Sequence, residues 1–105
     1  DVKWESNKNF TKATFWINDM TMSDYYLPSG EQLAVTRFIS TAQLQIQLLT
    51  SLKNNYSGYW ISDLFELNDQ NGTEYYITLE NDSQIKVLKS SFANTWSTYK
   101  VVEKL

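Results

Sequence analysis

The chain has 105 residues, a net charge of −3, and neither cysteine nor histidine. Its length fits a single domain with one hydrophobic core. Without histidine and cysteine, the chain cannot build a Ser-His-Asp or Cys-His catalytic site, a disulfide or a thiolate metal site. The negative charge disfavours nucleic-acid binding, and no segment is long and apolar enough to span a bilayer. We therefore expect no cofactor, no metal, no nucleic acid and no membrane span.

Strand signals fill residues 1–39. After a short alternating segment at 2–5, runs with a period of two predict strands at 12–18, 21–27 and 32–39. Polar turns are predicted at Asn18–Asp19 and at Pro28–Gly30, where proline presets φ and glycine accepts a positive φ. Turns this short imply antiparallel pairing.

One helix is predicted at 41–57. Its apolar residues recur at three- and four-residue spacing and form one stripe, which consists of Leu44, Leu48, Leu49, Leu52 and Tyr56. Ser40 or Thr41 can cap its start, and Ser57-Gly58 favours its end.

Strand signals return at 59–102. The predicted strands are 59–67, 73–80, 84–89 and 96–102, with a loop at 90–95. The Asn71-Gly72 pair is typical of a type I′ hairpin between the first two. Strands, one helix and strands again predict an α+β domain over 1–105, in which the helix packs on one face of an antiparallel sheet.

The order of several short motifs resembles the PepSY-like domains of Bacteroidetes, also described as β-lactamase-inhibitor-like (BLIP-like) domains. The motifs are Tyr25-Tyr26, Gly30-Glu31, Ala34, Thr36-Arg37 and Ile39-Ser40, then the leucine-rich helix, then Tyr59 to Glu66 and Gly72 to Tyr76. The resemblance spans nearly the whole chain, and none of its motifs is a catalytic signature.

The resemblance implies a fold similar to that of the β-lactamase inhibitory protein, whose unit is a helix on a four-stranded antiparallel sheet. It also implies export behind a signal peptide to the periplasm or the cell surface, and no enzyme activity. Members of the family usually carry a helix before the region that corresponds to Val2-Lys3-Trp4. We therefore expect that a leader has been removed and that a preceding helix has been cut off upstream of Asp1.

The strongest candidate for a site is an aromatic sheet face. If Phe15 and Ile77 point toward the helix, alternation sends Trp16, Tyr76 and Thr78 to the opposite face, and Tyr25 joins them. Tyrosine and tryptophan supply large contact areas at little entropic cost, so such a face suits a protein partner or a sugar ring. The simpler interpretation is that these rings shield the sheet backbone or are buried by another helix or a second copy.

Two sets of polar residues are weaker candidates for a functional site. Asp63, Glu66, Glu74 and Glu80 supply the acids that a glycosidase needs in pairs, but solvated surface acids are the simpler interpretation in a domain with little cleft. The oxygen-rich segment 68–74 lacks the acidic spacing of a calcium loop, so a plain hairpin turn is expected there.

The sequence thus predicts a non-catalytic periplasmic or extracellular binding module that engages a protein, in an inhibitor-like manner, through the sheet face opposite the helix. The alternative is a carbohydrate-binding or envelope structural module that uses the same aromatic residues. Since a domain that lacks a helix exposes apolar sheet, we also expect the chain to form a homodimer.

Overall fold

The computed structural model describes residues 2–17, 20–90 and 95–105. Eight strands form one antiparallel sheet in which spatial order follows chain order. The strands are β1 (Val2–Ser6), β2 (Thr11–Ile17), β3 (Met20–Tyr26), β4 (Gln32–Phe38), β5 (Trp60–Asp69), β6 (Gly72–Glu80), β7 (Gln84–Ser90) and β8 (Ser97–Glu103). The helix α1 (Ile46–Asn55) lies in the connection between β4 and β5. The predicted α+β class, an antiparallel sheet with one helix, is confirmed.

The predicted turn at Asn18–Asp19 lies outside the described residues, as do positions 91–94 of the predicted loop. The β5–β6 hairpin differs from its prediction. Its two-residue turn is Gln70-Asn71 rather than Asn71-Gly72, because Asp69 still pairs with Gly72 across the strands. Gly72 begins β6 with a φ of 120°, a value that only glycine adopts without strain.

The helix begins later than predicted. Residues Thr41–Gln43 form a separate 3-10 turn, and the Gln43 side chain accepts a hydrogen bond from the Ser40 amide at 2.9 Å. Leu44 then becomes extended, and α1 begins only after Gln45. The apolar spacing predicted the buried face, but the capping residues serve the short turn instead of the helix. The predicted start of the helix at residue 41 was therefore wrong.

The core lies between α1 and strands β5, β6 and β7. Its buried members are Leu44, Leu48, Leu52, Leu64, Ile77, Leu79 and Leu88. The Trp96 indole donates a hydrogen bond to the Leu48 carbonyl at 3.0 Å, so it fastens the middle of the helix to the segment that leads into β8. We call the side of the sheet that carries α1 the helix-side face.

The helix-side face of β1–β4 is apolar but has no helix over it within the described residues. Trp4 is 64% exposed, and Val2 and Ile17 are each 51% exposed. Phe15 and Ile17 have the predicted orientation, since their pairing partners Met22 and Met20 align through β4 with the helix side of β5. The expected preceding helix concerns chain before Asp1 and stays a prediction.

An ion pair lies at the boundary between the part of the sheet that α1 covers and strands β1–β4, which it leaves uncovered. Arg37 of β4 donates from Nε and Nη2 to the two carboxylate oxygens of Glu66 in β5, both at 2.9 Å. Asn68 donates to the same carboxylate at 2.7 Å. Because Arg37 binds it, the pKa of Glu66 lies below its usual range. A bidentate pair of this kind is well suited to a half-buried site.

We expect Leu48→Ala to lower the free energy of unfolding by about 2–5 kcal/mol, because Leu48 is only 1% exposed and its removal leaves a cavity. Ile46→Ala in the same helix is the matched control, since Ile46 is 68% exposed; it should change stability by less than about 0.5 kcal/mol. Urea denaturation followed by circular dichroism measures both. Equal losses would contradict the placement of the core.

Candidate functional site

The side of the sheet opposite α1, which we call the open face, carries all four residues of the predicted site. Leu64 and Ile77 are buried under the helix, so their neighbours Phe65, Tyr76 and Thr78 point the other way. The strand pairings extend this parity to Tyr25 and Trp16. Period-two alternation therefore identified the orientation of these side chains correctly. Their role in binding stays a prediction.

Tyr76 lies in a row of four rings that crosses the open face, which we call the aromatic row: Phe38, Phe65, Tyr76 and Tyr99. Phe65 and Tyr76 stack with centroids 5.2 Å apart and planes 13° apart. Phe38 packs edge-to-face on Phe65 at 6.4 Å, and Tyr99 on Tyr76 at 5.5 Å. The two outer rings are open to solvent, with Phe38 51% and Tyr99 63% exposed.

The other predicted residues do not join this row. Trp16 is 54% exposed and stands four strands away from Tyr76, which corresponds to about 19 Å. Tyr25 packs instead against Phe10, with centroids 5.6 Å apart. Thr78 is half-buried between Asp63 and Val87 on the neighbouring strands. The open face thus holds separate aromatic groups, and only Tyr76 is central to the largest.

Three rings of the aromatic row were missed by sequence reasoning. Phe65 follows the buried Leu64 directly, and alternation would have placed it on the open face. Phe38 lies directly opposite Phe65, a register that sequence does not define across the helical connection. Tyr99 lies at a register shift between β7 and β8, where simple alternation fails.

A shallow groove of about 120 Å³ runs across the open face from β2 to β5. Small hydroxyl side chains and aromatic rings line it together with two charged residues, namely Thr21, Ser23, Thr36, Tyr25, Phe38, Phe65, Lys12 and Asp63. Ser23 is buried, and its hydroxyl lies 3.3 Å from that of Thr14. Short residues between large rings therefore create the depression.

Lysines neutralise three carboxylates of this face. Lys3 lies 3.7 Å from Glu5, Lys89 lies 3.0 Å from Glu74, and Lys104 lies 3.2 Å from Glu80. A hydrogen bond from Ser62 and then the contact with Lys104 lower the pKa of Glu80. The Tyr76 hydroxyl also donates to Glu74 at 3.1 Å, and burial is the main cause that raises its pKa.

Asp63 differs from these three acids. It is half-buried at one end of the groove, and no salt bridge to it occurs in the described parts of the chain. Burial raises the pKa of Asp63, and a hydrogen bond from the Leu64 amide only partly opposes this effect. The groove therefore contains a desolvated carboxylate without a cationic partner.

The acids that could serve a glycosidase do not meet. Asp63 points to the open face, whereas Glu66 points to the helix-side face and binds Arg37. Glu74 and Glu80 are both held by lysines. In the segment 68–74, Asp69 accepts a hydrogen bond from the Asn71 amide at 2.8 Å, as in an ordinary turn. Among the described residues, no three acids gather as metal ligands.

Solved structures with the same fold come from Bacteroides. A DUF2874 family protein from Bacteroides uniformis has a TM-score of 0.80 and 9% identity, over 97% of this chain and 76% of that chain. A BLIP-like protein from Bacteroides fragilis has a TM-score of 0.72 and 16% identity, over 97% and 73%. A protein from Bacteroides eggerthii, inferred to be periplasmic, has a TM-score of 0.81 and 9% identity, over 97% and 76%.

These similarities define the class of protein by its architecture. No family model and no curated protein matches the sequence. At identities of 9–16%, the likeness concerns the fold alone. The chain has the BLIP-like α+β fold found in Bacteroides proteins, which confirms the resemblance at the level of architecture. No helix in the part of the chain that the structure describes is long and apolar enough to cross a membrane.

The raised pKa of Asp63 predicts a specific pH dependence. Between the unfolded pKa of about 3.9 and the higher folded value, the folded chain binds the extra proton, so ionisation of Asp63 destabilises it as pH rises. Asp63→Asn should therefore increase the free energy of unfolding at pH 7, and the increase should vanish near pH 3. Urea denaturation at both pH values measures the difference.

Glu80→Gln is a matched control of opposite sign, since the folded pKa of Glu80 is lowered. The stabilisation by Glu80 is present above its unfolded pKa and is lost as pH falls through the folded value. This variant should be less stable than the wild type at pH 7, with a smaller difference in acid. If both variants changed the free energy of unfolding at pH 7 in the same direction, the opposite pKa shifts assigned to Asp63 and Glu80 would be wrong.

Proposed function

We propose that the chain is a non-catalytic, exported binding module that docks a protein partner on its open face. The aromatic row carries this proposal. Its outer rings, Phe38 and Tyr99, are exposed while its inner rings are braced by stacking, so the row offers rigid apolar area that loses little entropy on binding. The Lys89–Glu74 pair lies beside Tyr76 and resembles the polar rim of an interface.

The ring geometry favours a protein over a glycan. Phe38 stands at 82° to Phe65, and Tyr99 at 86° to Tyr76. A glycan needs ring faces that lie parallel to successive sugars, whereas these rings present edges and faces in turn. The parallel pair, Phe65 and Tyr76, turn their faces toward one another. A mixed aromatic and polar surface of this kind fits a protein better.

Export to the periplasm or to the cell surface is part of the same proposal. It is supported by the fold, which this chain shares with a Bacteroides eggerthii protein inferred to be periplasmic. A docking function is further supported by the likeness to a BLIP-like protein from Bacteroides fragilis.

Capture from a periplasmic extract of Bacteroides tests the docking surface. The immobilised wild type should retain a protein that the double variant Phe38→Ala, Tyr99→Ala binds at least about tenfold more weakly, because buried aromatic anchors dominate interface energies. Both rings are exposed, so the variant should fold normally. Ile46→Ala, which removes an exposed apolar side chain from α1, serves as the control and should bind like the wild type.

Retention of the same protein by the double variant would overturn the docking surface. Retention of no protein, together with binding of the wild type to a glycan array, would favour the carbohydrate-binding alternative.

We also propose that two copies associate through the helix-side face of β1–β4. The support is its exposed apolar area around Val2, Trp4 and Ile17, since a two-fold interface places the same patch on both copies and apolar surface then meets apolar surface. Sedimentation velocity should show a dimer at high concentration. The variant Trp4→Lys, Ile17→Lys should be monomeric, because it would bury unpaired charges. A wild type that is monomeric at every concentration would overturn this proposal.

A further inference from the structure

Asp63 is distinguished from the three glutamates of the open face by what surrounds it. Glu5, Glu74 and Glu80 each have a lysine within 4 Å. Asp63 is half-buried, accepts a hydrogen bond from the Leu64 amide, and has no lysine or arginine partner among the described residues. A desolvated carboxylate gains most from a cation that enters its own cavity.

The rings beside Asp63 favour a cation of a particular shape. Phe38 and Phe65 line the same groove and stand at 82° to each other, so one offers a face where the other offers an edge. A planar guanidinium stacks on an aromatic face and can give two parallel hydrogen bonds to a carboxylate. An ammonium is a more strongly hydrated point charge and uses such a site less fully.

We propose that the groove of the open face receives an arginine side chain of the protein partner, with the guanidinium on Asp63 and against Phe38 and Phe65. This inference rests on the proposed function, since it specifies how the partner of that same face is recognised. The net charge of −3 also favours a partner with a basic surface.

The other charged and titratable groups around the groove leave this site open to a cation. Lys12 and Tyr25 line the groove with Asp63, and the Lys12 ammonium lies 5.6 Å from the Tyr25 ring centroid. Lys12 forms no ion pair with Asp63 in the described parts of the chain, and burial is the main cause that raises the pKa of Asp63. Lys104 is already engaged by Glu80, on the strand beside Asp63.

A small probe tests the site directly. N-acetyl-arginine amide should shift the backbone amide NMR signals of Phe38, Phe65 and Asp63 in a saturable way, with a dissociation constant on the order of millimolar, as expected for one side chain. N-acetyl-citrulline amide, which has the same shape without the charge, should bind at least fivefold more weakly. Asp63→Asn should reduce arginine binding at least fivefold.

Glu31→Gln is the matched control, since Glu31 is an exposed carboxylate outside the groove; it should leave binding unchanged. Equal binding of the probe to wild type and Asp63→Asn, or no saturable shift in the wild type, would overturn the inference.

The capture experiment separates this inference from the proposed function. A partner that is lost with Phe38→Ala, Tyr99→Ala but retained by Asp63→Asn would overturn the arginine site and leave the docking surface intact. Loss of the partner with both variants would support both the docking surface and the arginine site, provided that replacing the partner's own arginine also abolishes its binding to the wild type.

Discussion

Among the described residues, one short helix packs on one side of an eight-stranded sheet, and it is too small to cover the whole of that side. A helix of ten residues is about 15 Å long and about 10 Å wide, whereas eight strands at about 4.8 Å spacing extend for about 34 Å. Within the part of the chain that the structure describes, the closed core therefore lies at β5, β6 and β7, around Leu48 and Leu52. The strands before the helix depend on their hydrogen-bonded ladders and on the contacts that join β4 to β5.

The Arg37–Glu66 pair lies where this cover ends. An apolar side chain in place of Arg37, whose side chain is 33% exposed, would enlarge the exposed apolar surface of β1–β4, whereas an unpaired charge at the buried Glu66 would lose its hydration beside the core. A bidentate pair held further by Asn68 satisfies both requirements. It also fixes the register between β4 and β5, the two strands that the helical connection separates in sequence. That register in turn places Phe38 opposite Phe65 on the open face.

Local patterns predicted the elements and the orientation of side chains, but not which side chains meet. Alternation along each strand was enough to send Trp16 and Tyr76 to the same face, because a strand has a period of two whatever its neighbours. The distance between them depends on strand order, which no local pattern encodes. The position of Tyr99 was not predicted because a register shift between β7 and β8 reverses the alternation. The start of α1 was not predicted because Ser40 and Gln43 cap a separate turn. Asp63 was predicted only as one of several surface acids, because the groove that it lines is formed with residues of β2, β3 and β4, which are distant in sequence.

The open face combines two kinds of surface that act differently in recognition. The carboxylates of Glu74 and Glu80 on this face are neutralised by lysines within the chain, so they contribute solubility and shape more than attraction. The aromatic row supplies apolar area, which gives affinity but discriminates poorly between partners. A single half-buried acid such as Asp63 is unfavourable for folding. It nevertheless favours a partner that places a cation on it in the right geometry, and it disfavours partners that leave it unpaired. Affinity from the rings and selectivity from the acid would thus lie side by side, with Phe38 and Phe65 common to both.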